Sequence, residues 1–575
     1  LIYLLGLVVV FFILGIELFK IAQEKMQVVK KPFFVLLLVV ALMRLSNALF
    51  LQYDLTFDKR YSLSENTLSQ LKTLEEPLRI DVFLEGDLPT PYLRFRTALD
   101  ALLDQLQYHN DNLIIQYNDP FELGSSDTVV QEMQRYGMQP EIVFENKDGN
   151  RKESLIFPWL IVNYGERSER VPLVQKQLGD NENEKIIRSL QQLEYHIMDG
   201  IYKVSLEEKK NLAVLTSHQT SENRKLADLL QNVKPYYNLA AFDLKNPEVT
   251  PQQSLENLNR FKLLLISNPR EAFTQTEKFI LDQYGLQGGK LLWMVNGMGI
   301  DRDSLFNTSG KTYGLPQELN LDDYFFHKGL RIQKTLIQDL YCAPMVLAKG
   351  SENNAQYVPY PWVYYPLSEP EYTLIGKDLG PVWGRFASPL DTLANSLTKT
   401  LLLQTSDFTK TPSVPTLIQL EDAAQKIKPS DFDEAAKALG YLFQGTQNSL
   451  FKNRIKPFTL KQPLETGSTE MVLFGDGNIA ENQTEKGAPL ALGYDKWTNN
   501  FYANRGLLLN TIHFLTDNKD RLALREKSWK VAVLDAQKMG ENAAFWKGFL
   551  LVIPLLLSVF FGWGIHLKRS KQWTR

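Results

Sequence analysis

The sequence is poor in the residues that build disulfides and metal sites. Its 575 residues include one cysteine, Cys342, so neither an intrachain disulfide nor a cage of thiolate ligands is available. The six histidines are scattered, and no two have the four-residue spacing that places a pair of ligands on one helix face. We therefore expect no metal site and no bound cofactor.

A surplus of positive charge is also missing. The formal net charge is -3 at pH 7, whereas a protein that binds a phosphate backbone carries a basic excess. The mean hydropathy of -0.23 gives no sign of a membrane protein, because a large polar body dilutes any short apolar segment. A nucleic-acid partner is therefore not expected, and membrane segments have to be sought locally.

Glycine-rich phosphate loops and nucleophile elbows are absent as well. The stretch after the predicted strand 211–216 reads SHQT, without the glycines that bring a backbone close to phosphate. Cys342 lies in DLYCAPM, beside a proline, and not in the sharp strand-to-helix turn that exposes a catalytic nucleophile. We interpret Cys342 as a small buried hydrophobic residue and predict no catalytic residues.

Three acidic residues suit either chemistry or local structure. Asp476 in FGDGN ends a predicted strand, where it could bind a cation or act as a base, but Asp-Gly is also the usual composition of a strand-end turn. Asp322 and Asp323 are adjacent, so their side chains should point apart, and they suit the N-cap of the following helix. We favour the turn and N-cap interpretations over a paired acid/base site.

Three apolar runs approach the length of a membrane span. Residues 1–16 and 548–565 carry no charge, and residues 33–51 carry only Arg44. A spanning helix needs roughly 20 predominantly apolar residues. With their flanks, these runs predict transmembrane helices over 1–24, 33–52 and 545–567.

Basic residues near the predicted spans set the orientation. The link between the first two spans and the C-terminal tail are both rich in lysine and arginine, which stay on the cytoplasmic side. The body between residues 54 and 542 is then extracytoplasmic, and the lipid bilayer is an expected partner of the spans. The residues that carry this argument are Lys20, Lys25, Lys30, Lys31, Lys568, Arg569, Lys571 and Arg575.

The first predicted span fits neither a true N-terminus nor a signal peptide. It would begin outside and descend inward, and a charged stretch of helical pattern follows it instead of a small-residue cleavage site. We therefore hypothesise that residues 1–24 are the last helix of a longer polypeptide, such as a fused permease. Arg44 inside the second span either snorkels to the interface or contacts a partner helix.

The pattern of the body predicts tandem α/β domains. Residues 54–204 alternate strand-like and helical segments and end on an amphipathic helix over 184–204. Residues 211–535 alternate buried-type strands with helices, which is typical of a doubly wound, mostly parallel sheet. A segment rich in Pro, Tyr and Trp, 345–395, is predicted to be an extended surface excursion. The predicted strands of the second domain are 211–216, 262–267, 290–295 and 471–477.

Seven segments of the chain, taken in order, carry a resemblance to a known family. They are DLTFDKRYSLSENT (54–67), EEPLRIDVFLEGDLP (75–89), NEKIIRSLQQLEYHIMDGI (183–201), LNLDDYFFHKGLRIQKTLIQDLYCAP (319–344), PVWGRFASPLDTL (381–393), FGDGNIAEN (474–482) and LGYDKWTNNFYANRGLLLNTIHFLTD (492–517). They resemble the gliding-motility-associated ABC transporter subunit GldG of Bacteroidetes. The similarity covers residues 33–575, and seven ordered segments are more specific than any single short motif.

The resemblance implies a periplasm-facing, non-catalytic auxiliary or substrate-binding-like subunit of an ABC-2 type transporter in the bacterial inner membrane. It implies partnership with a GldF-like permease and a GldA-like ATPase in support of gliding motility and protein secretion. It also implies tandem α/β domains on two anchoring helices, and it leaves a homodimer open. Residues 1–24 depart from the family pattern, which supports the fused-permease hypothesis. The family has no established catalytic residues to carry over.

Two other functions stay open at this stage. An envelope hydrolase or amidase would need a nucleophile and a base from distant segments, with Cys342, Asp476 and His218 as candidates. A sugar or peptide receptor would use aromatic side chains of the 345–395 segment, because aromatic faces stack on sugar rings and pack on apolar groups. The candidate contacts are Trp362, Tyr364, Tyr365 and Trp383, and packing or a domain interface is the alternative for them.

Overall fold

The computed structural model describes residues 38–40, 62–147, 150–174, 181–349, 356–371, 373–517, 522 and 543–573. The chain divides into two compact units, residues 1–62 and 63–575. In the first unit the structure describes residues 38–40, which are helical, and Ser62. Apart from residues 38–40, the predicted spans 1–24 and 33–52 and the residue Arg44 therefore lie outside the described residues.

The second unit begins with a four-stranded sheet, a separate hairpin and five helices among the described residues. Their bounds are α1 (Glu65–Lys72), β1 (Leu78–Val82), α2 (Thr90–His109), β2 (Leu113–Tyr117), α3 (Ser126–Arg135), β3 (Glu141–Lys147), β4 (Asn150–Ile156), β5 (Trp159–Tyr164), β6 (Arg167–Pro172), α4 (Glu182–Gln191) and α5 (Leu193–Ser205), with a 3-10 helix at Pro120–Leu123. The sheet has the order β2-β1-β5-β6, and β3 pairs with β4 alone. The boundary predicted between residues 204 and 211 stays a prediction.

The helices of this part follow from apolar spacing and capping. Leu99, Leu103 and Leu106 form an apolar stripe on α2, and all three side chains are buried in the core that also holds strand β1. The single helix predicted over 184–204 is two helices, because the backbone leaves helical geometry at Gln192 (φ -102°, ψ 6°), between α4 and α5.

The rest of the second unit is larger and richer in strands. Its elements are β7 (Lys210–Leu215), α6 (Ala227–Val233), β8 (Tyr237–Phe242), α7 (Pro251–Leu258), β9 (Leu263–Ser267), α8 (Gln275–Leu286), β10 (Lys290–Met294), β11 (Met298–Gly299), a π-helical turn (Ser304–Thr308), β12 (Lys311–Pro316), α9 (Asp322–His327), β13 (Leu330–Ile332), β14 (Gln338–Asp339), β15 (Cys342–Lys349), β16 (Gln356–Pro370), β17 (Val382–Trp383), β18 (Leu390–Thr392), β19 (Thr398–Gln404), β20 (Thr409–Lys410), β21 (Thr416–Gln419), 3-10 helices (Leu420–Ala424 and Pro429–Asp431), β22 (Ala438–Asn448), β23 (Thr466–Phe474), β24 (Thr484–Glu485), β25 (Ala488–Pro489), β26 (Tyr494–Asp495), β27 (Asn500–Phe501), α10 (Asn504–Leu515) and α11 (Ala543–Trp573).

A ten-stranded mixed sheet organises this part. Nine strands follow the order β15-β16-β19-β22-β23-β10-β9-β7-β8, and β17 pairs with β16. The strands from β23 to β8 pair in parallel, whereas β22, β19, β16, β15 and β17 join antiparallel. The prediction of a mostly parallel sheet is therefore wrong for half of it. Parallel pairing needs long crossovers, and the strands after residue 342, apart from the β23–β10 pair, have antiparallel neighbours instead.

Each face of the parallel half packs into its own core. Along β7, Leu212 and Val214 lie in one apolar cluster, and Ala213 and Leu215 lie in the other, because successive side chains of a strand point to opposite faces. Helices α6 and α10 contribute to the first cluster, and helices α7 and α8 contribute to the second. Burial on both faces explains why these strands read as continuous apolar runs.

Most of the described part of the aromatic segment 345–395 is β-strand, and not the predicted surface excursion. Strand β16 forms a long antiparallel pair with β15, from Cys342 opposite Pro366 to Lys349 opposite Gln356. Only Glu369 and Pro370 pair with β19, so most of β16 has a partner on one side alone, which is where a strand tolerates proline.

Helix α11 lies outside the cores described above. Its segment Phe545–Gly564 is 20 residues long with a mean hydropathy of 2.0, and none of that segment is buried. Among the described helices it alone has the length and composition to cross a membrane. The span predicted over 545–567 is thus a single continuous helix.

Candidate functional site

Polar side chains gather where three neighbouring parallel strands end. Asn268 follows β9, Asn296 follows β10 and Asp476 follows β23, and these strands are adjacent in the sheet. All three residues are buried, at 2%, 8% and 2% exposure. Ligands of open α/β sheets bind at the carboxyl ends of the strands, so this edge, the carboxyl edge, is the candidate site.

A chain of hydrogen bonds links the three strand ends. Gly477 donates its backbone N–H to Asn296 Oδ1 at 2.7 Å, and Asn296 Nδ2 donates to Asn268 Oδ1 at 3.2 Å. Asn268 Nδ2 in turn donates to Asn478 Oδ1 at 3.2 Å and to Glu481 Oε1 at 3.3 Å. A Cβ at Gly477 would lie 2.6 Å from Asn268 Oδ1, so the close approach requires glycine. The loop after β23 is therefore fixed to both neighbouring strands.

Two guanidinium groups and two carboxylates complete the cluster. Arg385, which follows β17, donates its backbone N–H to Asp476 Oδ2 at 2.8 Å. Its Nη2 donates to the carbonyl oxygens of Asn478 and Glu481. Arg302 Nη1 donates to Glu481 Oε2 at 2.9 Å. Arg385 is 4% exposed and the Arg302 side chain is 31% exposed, so Arg302 forms the rim of the cluster.

Burial and neighbouring charges shift the pKa values of these groups. Burial raises the pKa of Asp476 to about 6, against the opposing effect of Arg385 and two backbone N–H donors. Burial also raises the pKa of Glu481, but nearby cations, Arg302 first among them, outweigh it and leave that pKa below its ordinary value. Burial lowers the pKa of the Arg385 guanidinium.

The cluster is built to hold the edge together. Both oxygens of Asp476 accept backbone N–H groups, from Arg385 and, at 2.7 Å, from Asn478 two residues later. The second bond is that of a strand-end turn, which agrees with the turn interpretation of FGDGN. Within the described part of the chain, no group of three His, Cys, Asp or Glu side chains is arranged to hold a metal ion.

The raised pKa of Asp476 predicts a pH-dependent stability. The folded state binds a proton on Asp476 more tightly than the unfolded chain between about pH 4, the ordinary aspartate range, and about pH 6. The contribution of this group to the free energy of unfolding therefore falls as pH rises through that window, by about 3 kcal/mol in total. Urea denaturation of the detergent-solubilised chain at both ends of the window measures the change.

Substitution at Asp476 isolates its share of that pH dependence. Asp476→Asn should be less stable than the wild type at low pH and should lose the fall in stability across the window. The exposed Asp378→Asn serves as the matched control and should follow the wild-type curve. Equal slopes for the wild type and Asp476→Asn would contradict the assignment.

His218 belongs to a second buried arrangement at this edge. Its Nδ1 lies 3.0 Å from Ser217 Oγ, and its Nε2 lies 3.3 Å from Glu277 Oε2. The ring stacks on Phe273 at 3.8 Å between centroids. In the tautomer with the ring proton on Nε2, Nδ1 is an acceptor for a hydrogen bond from the Ser217 hydroxyl, and this order of serine, histidine and acid is the one that activates a nucleophile.

Each member of this arrangement also has a structural task. Glu277 belongs to the capping box of α8, where it accepts the backbone N–H of Thr274 at 2.6 Å. Ser217 Oγ accepts the backbone N–H of Leu244 at 3.2 Å. His218 itself has a left-handed backbone (φ 62°), which turns the chain at the end of β7. These bonds account for the arrangement as part of the fold.

Cys342 and the two adjacent aspartates lie away from the carboxyl-edge cluster. Cys342 begins β15 in the antiparallel half, and burial raises the pKa of its thiol to about 12, so it is protonated at neutral pH. The N-cap prediction for Asp322 and Asp323 is wrong by one residue, because Leu321 already has helical angles and takes that position. Both aspartates lie in the first turn of α9, where negative charge favours the helix dipole.

The four aromatic candidates are brought together, but inside the protein. They share one apolar core, at 1%, 5%, 8% and 5% exposure for Trp362, Tyr364, Tyr365 and Trp383. Tyr365 packs edge-on against Trp383 at 5.8 Å between ring centroids. This placement favours the packing alternative, and ligand contact by these rings stays a prediction.

Sequence reasoning named one member of the carboxyl-edge cluster and missed the rest. Asn268 and Asn296 each stand just after a continuous apolar run, and that position was the available signal. Arg385 and Glu481 had no local signal. Arg385 reaches Asp476 only because β17 joins the antiparallel half of the sheet, across 91 positions of sequence.

Comparison with known proteins gives a family and a weak structural likeness. Residues 209–511 match a family described as ABC-type uncharacterized transport system, and residues 57–163 match a domain of unknown function, DUF7088. No curated protein matches the chain. A solved structure titled "mmIFT52 N-terminal domain" is 14% identical, with a TM-score of 0.32, over 53% of this chain and 97% of that one.

Proposed function

This chain belongs to the family described as ABC-type uncharacterized transport system, and from that membership we propose a non-catalytic, extracytoplasmic auxiliary subunit of an ABC-2 type transporter. The extent of the match carries the proposal, because it spans the whole ten-stranded sheet and the carboxyl edge. An auxiliary subunit needs a stable body and a docking surface more than a reactive centre. The internally bonded polar cluster suits that role.

Helix α11 supplies the membrane anchor in this proposal. Its apolar surface is open over Phe545–Gly564, and the sequence beyond it is basic, as expected for a cytoplasmic end. The body then lies on the periplasmic side of the bacterial inner membrane. With the predicted span 33–52, the chain would have two anchors around tandem domains, the second of them doubly wound in its parallel half.

The finer identity comes from the resemblance to the gliding-motility family. A GldG-like subunit would dock on a GldF-like permease and, through it, on a GldA-like ATPase, in support of motility and secretion. Arg44 would be a contact to a permease helix, because an intramembrane charge needs a partner. The resemblance is also compatible with a homodimer of this chain.

Affinity purification of the full chain in mild detergent tests the proposal. We expect a permease and an ATPase to co-purify. Replacing residues 545–564 by an unrelated leucine and alanine span keeps the anchor but removes specific helix packing. It should lower permease recovery about tenfold if roughly 1.4 kcal/mol of packing is lost.

Two observations would count against this function. The first is purification of the wild-type chain without any ATPase or permease. The second is survival of the body when intact spheroplasts are treated with protease, since a periplasmic body should be digested. The C-terminal tail, detected by an epitope tag, provides the internal control and should be protected.

A hydrolase is a second candidate because of the distances around His218. Ser217 Oγ at 3.0 Å from Nδ1 and Glu277 Oε2 at 3.3 Å from Nε2 form a serine, histidine and acid series. An active enzyme would hydrolyse a reactive ester, and Ser217→Ala would abolish that hydrolysis. Cys342→Ala, Asp476→Ala and His218→Ala complete the set. Equal background rates for all variants would remove the hydrolase from consideration.

A further inference from the structure

The connection between β22 and β23 is strongly basic. Residues 451–464, the basic loop, read FKNRIKPFTLKQPL and contain no acidic residue. Four cations lie along it, Lys452, Arg454, Lys456 and Lys461. The chain as a whole carries a net charge of -3, so this concentration of positive charge is local.

The basic loop is held firmly at both ends by helix α8. Phe451 is 1% exposed and packs against Phe279 at 5.0 Å between ring centroids. Phe458 packs against the same ring at 5.1 Å. At the far end, Leu464 donates its N–H to Gln283 Oε1 at 2.8 Å and accepts from Gln283 Nε2 at 2.9 Å. These contacts with α8 hold the basic loop in place on both sides of its exposed middle.

That exposed middle carries apolar groups among its cations. Ile455 is 95% exposed, and contact of this apolar side chain with water is unfavourable. Arg454 forms a 2.7 Å ion pair with Asp323 on α9, and Phe326, one helical turn later, is 64% exposed. Among the described residues, none forms an ion pair with Lys456 or Lys461. The surface therefore combines exposed apolar side chains with unneutralised lysines.

The basic loop lies at the amino edge of the parallel strands, and the residues that follow α10 reach the same edge. β22 and β23 meet there, with Asn448 opposite Thr466. At the same edge, Lys262, just before β9, pairs with Asp517 at 2.9 Å, and Lys210, the first residue of β7, donates to the carbonyl oxygen of Thr516. Leu522, five residues after Asp517, is buried in the core on one face of the sheet, and residues 523–542 lie between it and α11 in the sequence.

We propose that the basic loop and Phe326 rest on the anionic lipid surface of the membrane that α11 spans. The lysines match anionic headgroups, each strengthening attachment about fivefold, while Ile455 and Phe326 enter the interface as apolar anchors. This inference rests on the proposed membrane anchoring by α11.

Contact of the basic loop with lipid would also fix the orientation of the carboxyl edge. That edge is at the opposite end of the same parallel strands, so it faces away from the bilayer when the basic loop lies on lipid. The rim residue Arg302 then looks into the aqueous compartment. A partner or polar solute would reach it there without competition from the membrane.

A single-cysteine probe tests the lipid contact in the full chain. In a Cys342→Ser background, Ile455→Cys is labelled with an environment-sensitive fluorophore and reconstituted into phosphatidylcholine vesicles with or without an equimolar share of phosphatidylglycerol. We expect a blue shift and reduced acrylamide quenching in the anionic vesicles only. Thr308→Cys, exposed near the carboxyl edge, is the control probe and should show neither change.

Charge removal separates lipid contact from nonspecific adsorption. Lys456→Gln with Lys461→Gln should abolish the blue shift, whereas Lys426→Gln with Lys428→Gln, an equal loss of exposed charge outside the loop, should preserve it. A probe at Ile455 that is insensitive to phosphatidylglycerol would overturn the inference. So would a shift that appears only when co-purified permease is added, which would indicate a protein partner. Carbonate-resistant retention of the chain in the vesicles reports anchoring separately.

Discussion

Arg385→Ala should lower the free energy of unfolding of the body by about 3–5 kcal/mol, the cost of breaking a buried charge cluster by removing one partner. Arg385 is 4% exposed and lies beside two buried carboxylates, Asp476 and Glu481, which would lose a compensating cation. The carbonyl oxygens of Asn478 and Glu481 would also lose their donor. Urea denaturation of the detergent-solubilised chain, followed by tryptophan fluorescence, measures the loss.

Trp383, next to the substituted Arg385, is a fluorescent reporter of this change. The Arg385 guanidinium lies 4.9 Å from the centroid of the Trp383 ring, so the emission of that indole should respond in the folded state as well. Arg385→Lys keeps the charge but not the paired donation to two carbonyls, so it should fall between the wild type and alanine. Arg331→Ala, exposed on β13, should change stability by less than about 0.5 kcal/mol. A loss at Arg385 no larger than at Arg331 would refute a structural role for the cluster.

The parallel half of the sheet was predictable where its strands are buried on both faces, whereas β8 was missed, because only its two end residues are buried and it gives no continuous apolar run. Strands buried on both faces appear as unbroken apolar runs, and 211–216, 262–267 and 290–295 were found within a residue or two as β7, β9 and β10. The run at 471–477 is the buried end of β23, which begins earlier, at Thr466. The polar start of that strand gave no periodic signal.

The antiparallel half was not predictable for the opposite reason. Strand β16 contains four prolines, and proline inside a run argues against a strand unless the chain has an unpaired side. Which side of β16 has no partner depends on where β15 and β19 lie in the sheet. The sequence alone does not give the order of the strands or their register. The segment 345–395 was for the same reason predicted to be a surface excursion, whereas Trp362, Tyr364 and Tyr365 of β16 lie in a core, in agreement with the packing alternative for these side chains.

The residues of the candidate site also divide into those with a local sequence signal and those whose contacts depend on long-range strand pairing. Residues that end apolar runs, such as Asp476, could be placed at the carboxyl edge from the sequence. Arg385 could not, since its contact depends on how the two halves of the sheet meet. Asp476, for which the sequence favoured a strand-end turn over a base or a cation ligand, connects the two halves of the sheet, and each of its carboxylate oxygens accepts a backbone N–H.

Asp282→Ala should be the most damaging change at the other end of the sheet, again about 3–5 kcal/mol. Asp282 is 0% exposed and lies 3.7 Å from the amino group of Lys328, whose pKa is lowered by burial and partly restored by Asp282. Its oxygens also accept from Ser449 Oγ at 2.6 Å and from the Leu450 N–H at 3.3 Å, just before the basic loop. Alanine would leave a buried cation unpaired and free the start of that loop.

A double substitution identifies the unpaired charge as the cause. Asp282→Ala with Lys328→Met removes both buried charges together, and it should recover much of the lost stability, because replacing a buried ion pair by apolar groups is often close to neutral. Asp282→Asn keeps an acceptor for Ser449 but no charge, so it should keep the loop in place while still destabilising Lys328. Glu256→Ala, exposed on α7, is the matched control. If the double variant is no more stable than Asp282→Ala, the loss comes from the hydrogen bonds that hold the loop and not from the stranded lysine.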